Sequence, residues 1–216
     1  MWCAHCKKLS DSTLCSSCTA ELKKLSFASL YTQRCTVCGQ SILDRSYPCP
    51  CCEEALIAYG PYEGVLAFLV LRYKSGGELL LAPFLADLFL DLMQADGSSV
   101  LVPIPASKEG IRRRGFDQML LIAYILSRKT GSPVVRLFSH HKGRRHALLS
   151  KKARLETKSL LVRTHVSKRS NMLLRQCKQM YVLDDIHTTG STCSQAKTYL
   201  EGTYQARVKT IVLCKA

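Results

Sequence analysis

Met180-Tyr-Val-Leu-Asp-Asp-Ile-His-Thr-Thr-Gly-Ser-Thr192 reads as a strand running into a phosphate cradle. Tyr181, Val182 and Leu183 are the β-favouring residues of a buried run. Two carboxylates follow, Asp184 and Asp185, and then a hydroxyl-rich loop around one glycine: Thr188, Thr189, Gly190, Ser191 and Thr192. Residues 193–202 have the pattern of a helix. Strand, loop and helix N-terminus together aim backbone N–H groups, hydroxyls and the positive end of a helix dipole at one point, which suits an anion. The carboxylates just before the loop are placed to hold sugar hydroxyls or a hydrated Mg²⁺.

Four apolar residues, two acids, two further positions and Thr-Thr-Gly with a small hydroxyl pair resemble the phosphoribosyl pyrophosphate signature of type I phosphoribosyltransferases. His187 departs from it, standing where the signature carries an apolar residue. Thr188 occupies the position of the carboxylate base of purine-salvage enzymes, which argues against purine salvage.

Working outward, Ser99-Val-Leu-Val-Pro-Ile-Pro105 is a strand entering a loop stiffened by two prolines. In an open α/β sheet, ligands bind at the carboxyl ends of strands. Lys108-Glu-Gly-Ile-Arg-Arg-Arg-Gly-Phe-Asp-Gln118 follows, read as an anion-binding or closing loop, with a helix over 117–129. Residues 62–73 carry apolar groups at helical spacing, and Lys74-Ser-Gly-Gly77 stops that helix. Residues 78–95 read as one or two helices with Asp87 and Asp91 as surface charges. Strands are expected at 56–59 (an edge), 133–138, 160–162, 179–184 (the centre of the sheet) and 207–214, and an exposed helix near 150–160.

The first fifty residues are organised by cysteine. Cys3/Cys6, Cys15/Cys18, Cys35/Cys38 and Cys49/Cys52 are four C-x-x-C pairs. Each pair brings two thiolates to one ion, and two pairs fill a tetrahedral site. Eight ligands imply two structural zinc ions, paired either in sequence or crosswise. Cys51 is an alternative to Cys49 or Cys52, and His5 reads as a bystander. A helix is expected at 20–30. A segment this short has little core of its own, so metal would hold it together.

The chain has 216 residues, a formal charge of +15 and twelve cysteines. Its length suits a 55–216 α/β domain with a 1–54 Cys-rich double zinc module attached. The start of the chain has no apolar run behind its charges, and 79–93 is too short and too charged to span a bilayer. The expectation is a cytoplasmic protein without membrane insertion, whose thiols stay reduced. Between 139 and 178 the only acid is Glu156, against twelve Lys and Arg. That imbalance favours a polyanion partner. Lys142, Arg144, Arg145, Lys151 and Lys152 are its candidate nucleic-acid contacts.

The order of parts is recognisable. A cysteine module, Arg72-Tyr-Lys-Ser-Gly76, Pro103-Ile-Pro105, Arg112-Arg-Arg-Gly-Phe-Asp-Gln118 and the Asp-Asp…Thr-Thr-Gly loop resemble the ComF family over essentially the whole chain. Asp117 departs from the family's usual Asn, and His146-Ala-Leu-Leu-Ser150 with Thr157 departs from its middle-loop pattern. The resemblance implies an α/β, type I phosphoribosyltransferase-like parallel sheet flanked by helices, with the small zinc-binding module at the N-terminus. It also implies a pyrophosphate loop at Pro103, Ile104 and Pro105, Mg²⁺-dependent ligand binding, and a role in handling single-stranded DNA during natural competence.

Three functions follow. One is a competence protein that tracks single-stranded DNA and docks a helicase partner. Another is an active phosphoribosyltransferase acting on an amine or base. In that reading Asp184 and Asp185 hold the ribose and residues 188–192 hold the 5′-phosphate, while Arg112 or Arg114 closes over the departing pyrophosphate. The third is a non-catalytic sensor or scaffold that binds phosphoribosyl pyrophosphate as an effector. The first, with its nucleotide-sugar site intact, is the expectation carried forward.

Overall fold

The computed structural model describes residues 1–29, 35, 37, 39, 49, 56–93, 95–140 and 161–216. Its centre is a four-stranded, all-parallel sheet in the order β1 (Leu56–Pro61), β6 (Arg207–Lys215), β5 (Gln179–His187), β2 (Ser99–Pro103). Leu183 of β5 stands opposite Pro103 of β2 and Ile211 of β6. The middle strands are buried on both faces, as in Tyr181-Val-Leu183 and Ile211-Val-Leu213. Such continuous apolar runs are what a sheet covered on both sides requires.

Strand alternation divides the core in two. Leu101, Tyr181, Leu183, Ile211 and Leu213 face one cluster with α2 (Gly64–Lys74), α3 (Ala82–Asp91) and α5 (Gln118–Thr130). Val100, Val102, Met180, Val182 and Val208 face the other, with Leu174 of α6 (Lys168–Gln176) and Ala196 and Leu200 of α7 (Ser191–Thr203). A short 3-10 turn at Leu79–Leu81 leads into α3, and α4 (Lys108–Arg114) follows β2. Beyond β2, two short antiparallel strands, β3 (Phe138–His140) and β4 (Leu161–Arg163), form a separate ribbon. The mixed α/β architecture with a parallel sheet between helices is the expected one.

Several local expectations change. Residues 108–114, read as a loop, are helical. The side chain of Ser107 accepts from Gly110 N, and Gly115 closes the helix at φ 85°. Three consecutive arginines at its end suit the negative end of the helix dipole. The strand expected at 133–138 reduces to a single parallel bridge, Val134 to Leu101, and the short β3. Pro133, which has no N–H to give, supplies a carbonyl to Leu101 N instead. Helix α6 was not expected: its apolar content is small, only Leu174 is buried, and its charges read as loop. The helix near the cysteines, α1, spans Ser16–Leu25 rather than 20–30. The exposed helix anticipated near 150–160 lies outside the described residues, as do Lys142, Arg144, Arg145, Lys151 and Lys152.

Candidate functional site

The site grows from the carboxyl end of β5. Alternation sends the two aspartates to opposite faces of the sheet. Asp184 turns toward α7 and lines a small hollow of about 40 Å³ with Ile186, His187 and residues 188–193. One of its oxygens accepts from Asp185 N at 2.9 Å, and the other from the Cys193 thiol at 3.5 Å. Burial, and then the charge of Asp185, push the Asp184 carboxyl up to about 7. Burial likewise raises the Cys193 thiol, with the Asp184 charge adding to it. That keeps the thiol protonated as the donor to Asp184.

Gly190 makes the turn. It sits at φ 70°, in the left-handed region that favours glycine, and starts α7 without any side-chain cap. Helices α4, α5 and α6 are instead each capped by a side chain, from Ser107, Asp117 and Ser167. The first intrahelical bond of α7 runs from Ser194 N to Gly190 O, so the N–H groups of residues 191–193 lie ahead of it. Such donors at a helix start have no intrahelical partner. Thr189 and Ser191 bring their hydroxyls together at 3.2 Å over the same hollow. His187 lies directly beneath: a Cβ on Gly190 would fall 2.4 Å from its Nε2. Among the described residues its Nδ1 is buried without a hydrogen-bond partner, and burial, followed by the charge of Lys215, lowers its pKa.

Asp185 belongs to the other face. It is 2% exposed and is held by two side chains: Lys74 Nζ at 2.7 Å and Gln118 Nε2 at 3.4 Å. Arg114 completes the ring, donating to the Lys74 carbonyl at 2.8 Å and to the Gln118 side-chain oxygen. Tyr73 adds a bond from its hydroxyl to Gln118 O at 2.7 Å. Arg114 folds back over Gly110 to do this, and only the missing Cβ there leaves room for its guanidinium. It is therefore engaged inside the fold, whereas Arg112 is exposed.

The Pro103, Ile104, Pro105 loop lies beside β5 as expected, and its donors are already spent. The two prolines have no N–H, Ile104 N donates to Leu183 O at 2.9 Å, and Ala106 N donates to Asp117 Oδ2 at 3.1 Å. Asp117 also caps α5 by accepting from Leu120 N. The loop is thus a wall fastened on both sides, with exposed Lys108 and Arg112 just beyond it.

Lys74, read from the sequence only as part of a helix stop, and Gln118 were not among the expected site residues. Both stand in runs that carry the resemblance, Arg72-Tyr-Lys and Phe-Asp-Gln. The signal was that each places a long polar side chain at a helix end nearest the sheet.

In the cysteine segment, Cys3, Cys6, Cys15 and Cys18 gather with all four sulfurs within 4.8 Å of one another. The first two C-x-x-C pairs therefore combine in sequence. Tetrahedral Zn–S bonds of about 2.3 Å would set sulfurs roughly 3.8 Å apart; Cys6 and Cys15 are 3.6 Å apart. Burial, then the neighbouring thiols, push Cys18 up to about 12, so four thiolates here need a cation among them. The cluster could hold a structural metal. His5 stays outside the four, with Nδ1 at 3.4 Å from Cys18 Sγ and its ring edge-on to Phe68 of α2. Cys35 and Cys49 are buried, while Cys38, Cys51 and Cys52 lie outside the described residues. No helix among the described residues is long and apolar enough to cross a membrane.

No family model matches the chain. Two curated proteins do. Competence protein ComFC of Bacillus subtilis (strain 168) is 26% identical over 222 residues, covering 95% of this chain and 85% of its own length. Competence protein ComFC of Streptococcus pneumoniae (strain ATCC BAA-255 / R6) is 25% identical over 212 residues, covering 95% of this chain and 89% of its own. With similarity to both running nearly end to end, the chain resembles these ComFC competence proteins over almost its whole length.

Proposed function

We propose that this protein binds phosphoribosyl pyrophosphate with Mg²⁺ and serves natural competence by handling incoming single-stranded DNA. The observation that carries the ligand reading is the open start of α7: uncapped amides behind Gly190, two hydroxyls over them, and one acidic residue at the rim. An anion there meets aligned N–H groups and the positive end of a thirteen-residue helix. The 5′-phosphate would sit on residues 188–192. Asp184, once ionised, would accept from the ribose hydroxyls, while Asp185 acts from behind the sheet by fixing Lys74 and Gln118. The pyrophosphate would extend along the Pro103, Ile104, Pro105 wall to Lys108 and Arg112, the exposed cations beyond it. Mg²⁺ would neutralise the pyrophosphate charge, which is the chemistry it supplies when bound. The four clustered cysteines suit zinc, and the double module over 1–54 would be completed by the second four. Competence is supported by the names of the two ComFC relatives, and strand handling by the charge of 139–178.

Calorimetry with phosphoribosyl pyrophosphate tests the reading. Saturable, Mg²⁺-dependent heat is expected from the wild-type chain, and little from Asp184→Asn or Gly190→Ala. Equal heat from all three would overturn it. Pyrophosphate release in the presence of amines and nucleobases would add turnover to binding.

A further inference from the structure

Two hollows extend from the Pro103, Ile104, Pro105 wall away from the turn at Gly190; the first shares Pro103, Pro105 and Lys108 with the path proposed for pyrophosphate, and neither includes residues 184–193. The larger, about 560 Å³, lies between α5 and the β3–β4 ribbon, with Tyr124, Val134, Phe138 and Arg136 among its lining residues. Its volume is in the range of cavities that hold a small organic ligand. The second, about 550 Å³, is bounded by Arg163, Lys168 and Asn171. Thr164, His165 and Val166 line both, so the two form one continuous trough.

The chemistry of the trough alternates. At the larger hollow, Tyr124 offers a ring that is 49% exposed, although it sits on a helix whose other apolar residues are mostly packed. Phe138 beneath is locked edge-on to Tyr199, with ring centres 5.7 Å apart. Arg136, Arg163, His165 and Lys168 follow at the rim, all exposed. Among the described residues no carboxylate pairs with Arg136, Arg163 or Lys168. The single acid in the lining, Asp117, already accepts from Ala106 N and Leu120 N. An apolar ring seat with Arg136 beside it, followed by a second hollow edged by Arg163 and Lys168, matches a chain that alternates a flat base with phosphates. A base enters a hollow of this depth only when it is unpaired.

We propose that this trough is where the protein grips single-stranded nucleic acid, with one base stacked on Tyr124 and successive phosphates on Arg136, Arg163 and Lys168. The assignment deepens the strand-handling half of the reading above and rests on it. It moves the principal contact to side chains positioned by β3, β4 and α6, and it places the strand beside the wall proposed for pyrophosphate, with Lys108 common to both.

Fluorescence anisotropy of labelled oligothymidylate tests it, with an abasic strand of equal length as the second probe. The tight, salt-sensitive binding of the wild type should lose roughly ten-fold in Arg136→Ala/Arg163→Ala, and the log–log salt slope should fall by about 2. Tyr124→Ala should weaken oligothymidylate roughly ten-fold, within the span of one base–aromatic stack. The same change should leave the abasic strand untouched, and Tyr124→Phe should restore binding. Oligouridylate in parallel reports whether the trough separates RNA from DNA.

Wild-type affinity in both the Tyr124→Ala and the double arginine variants would overturn the proposal, as would equal loss on the abasic strand or a wild type that binds no strand. Calorimetry of the same variants with phosphoribosyl pyrophosphate keeps the two readings apart. Unchanged heats with lost strand binding support the trough alone, and lost heats in the wild type strike only the cradle.

Discussion

Replacing Lys74 with methionine probes the ring of bonds behind the sheet. Asp185 is 2% exposed, and the Lys74 ammonium lies 2.7 Å from its Oδ1. Removing one partner of a buried pair typically costs about 3–5 kcal/mol, because the other charge is left without compensation. Here the Lys74 side chain is 37% exposed, so water reaches part of the pair and the cost is discounted. Gln118 at 3.4 Å remains as a weaker donor. A loss of roughly 2–3 kcal/mol is expected, or about 4–12 °C in Tm for a chain of this size. Urea unfolding of Lys74→Met, Asp185→Asn and the double variant forms the assay. The double variant should recover at least about 1 kcal/mol over Lys74→Met, because the uncompensated charge is gone. A Lys74→Met protein within about 0.5 kcal/mol of wild type, with no coupling in the cycle, would refute the claim that this pair is buried and mutually dependent.

Asp184 is lifted to about 7 by burial and then by Asp185, so folding binds its proton. Its stabilising share is complete below the unfolded pKa of about 3.9 and is lost as pH rises through about 7. Asp184→Asn should therefore flatten that decline in a pH series of urea titrations. Ligand heat in the wild type should grow over the same upper range, as the carboxylate becomes able to accept from hydroxyls. Gly190→Ala meets both a φ of 70° and the ring of His187, so it should cost about 1–2 kcal/mol and abolish phosphate-ligand heat. Gly190→Ala/His187→Ala, which clears the ring, should return part of the stability in thermal melts. Cys15→Ser should lower the bound metal by one equivalent per chain in elemental analysis, the one held by Cys3, Cys6, Cys15 and Cys18.

The parallel sheet was legible because its strands are buried on both faces and announce themselves as apolar runs. The turn into α7 was legible because Gly190 and the hydroxyls around it are neighbours in the chain. The division of the aspartates was not, although alternation alone predicts it, because a motif presents Asp184 and Asp185 as a pair. What turns Asp185 into a structural group is Lys74, 111 residues earlier in the chain, and Gln118, 67 residues earlier. No local pattern reports such partners. Arg114 was misleading for the same reason: its charge suggested a ligand, but Gly110 lets it fold inward to a backbone carbonyl. Helix α6 was hidden by its composition: it is short and strongly polar, so the one-sided placing of its few apolar residues was passed over inside a basic segment.

Helix α2 has a further consequence. His5 braces the thiol cluster against Phe68 midway along it, and Lys74 at its last position reaches Asp185. From Phe68 to Lys74 the helix rises about 9 Å. A chelator or an oxidant acting on the thiols would thus be felt within two turns of helix, in how firmly Lys74 is held against Asp185.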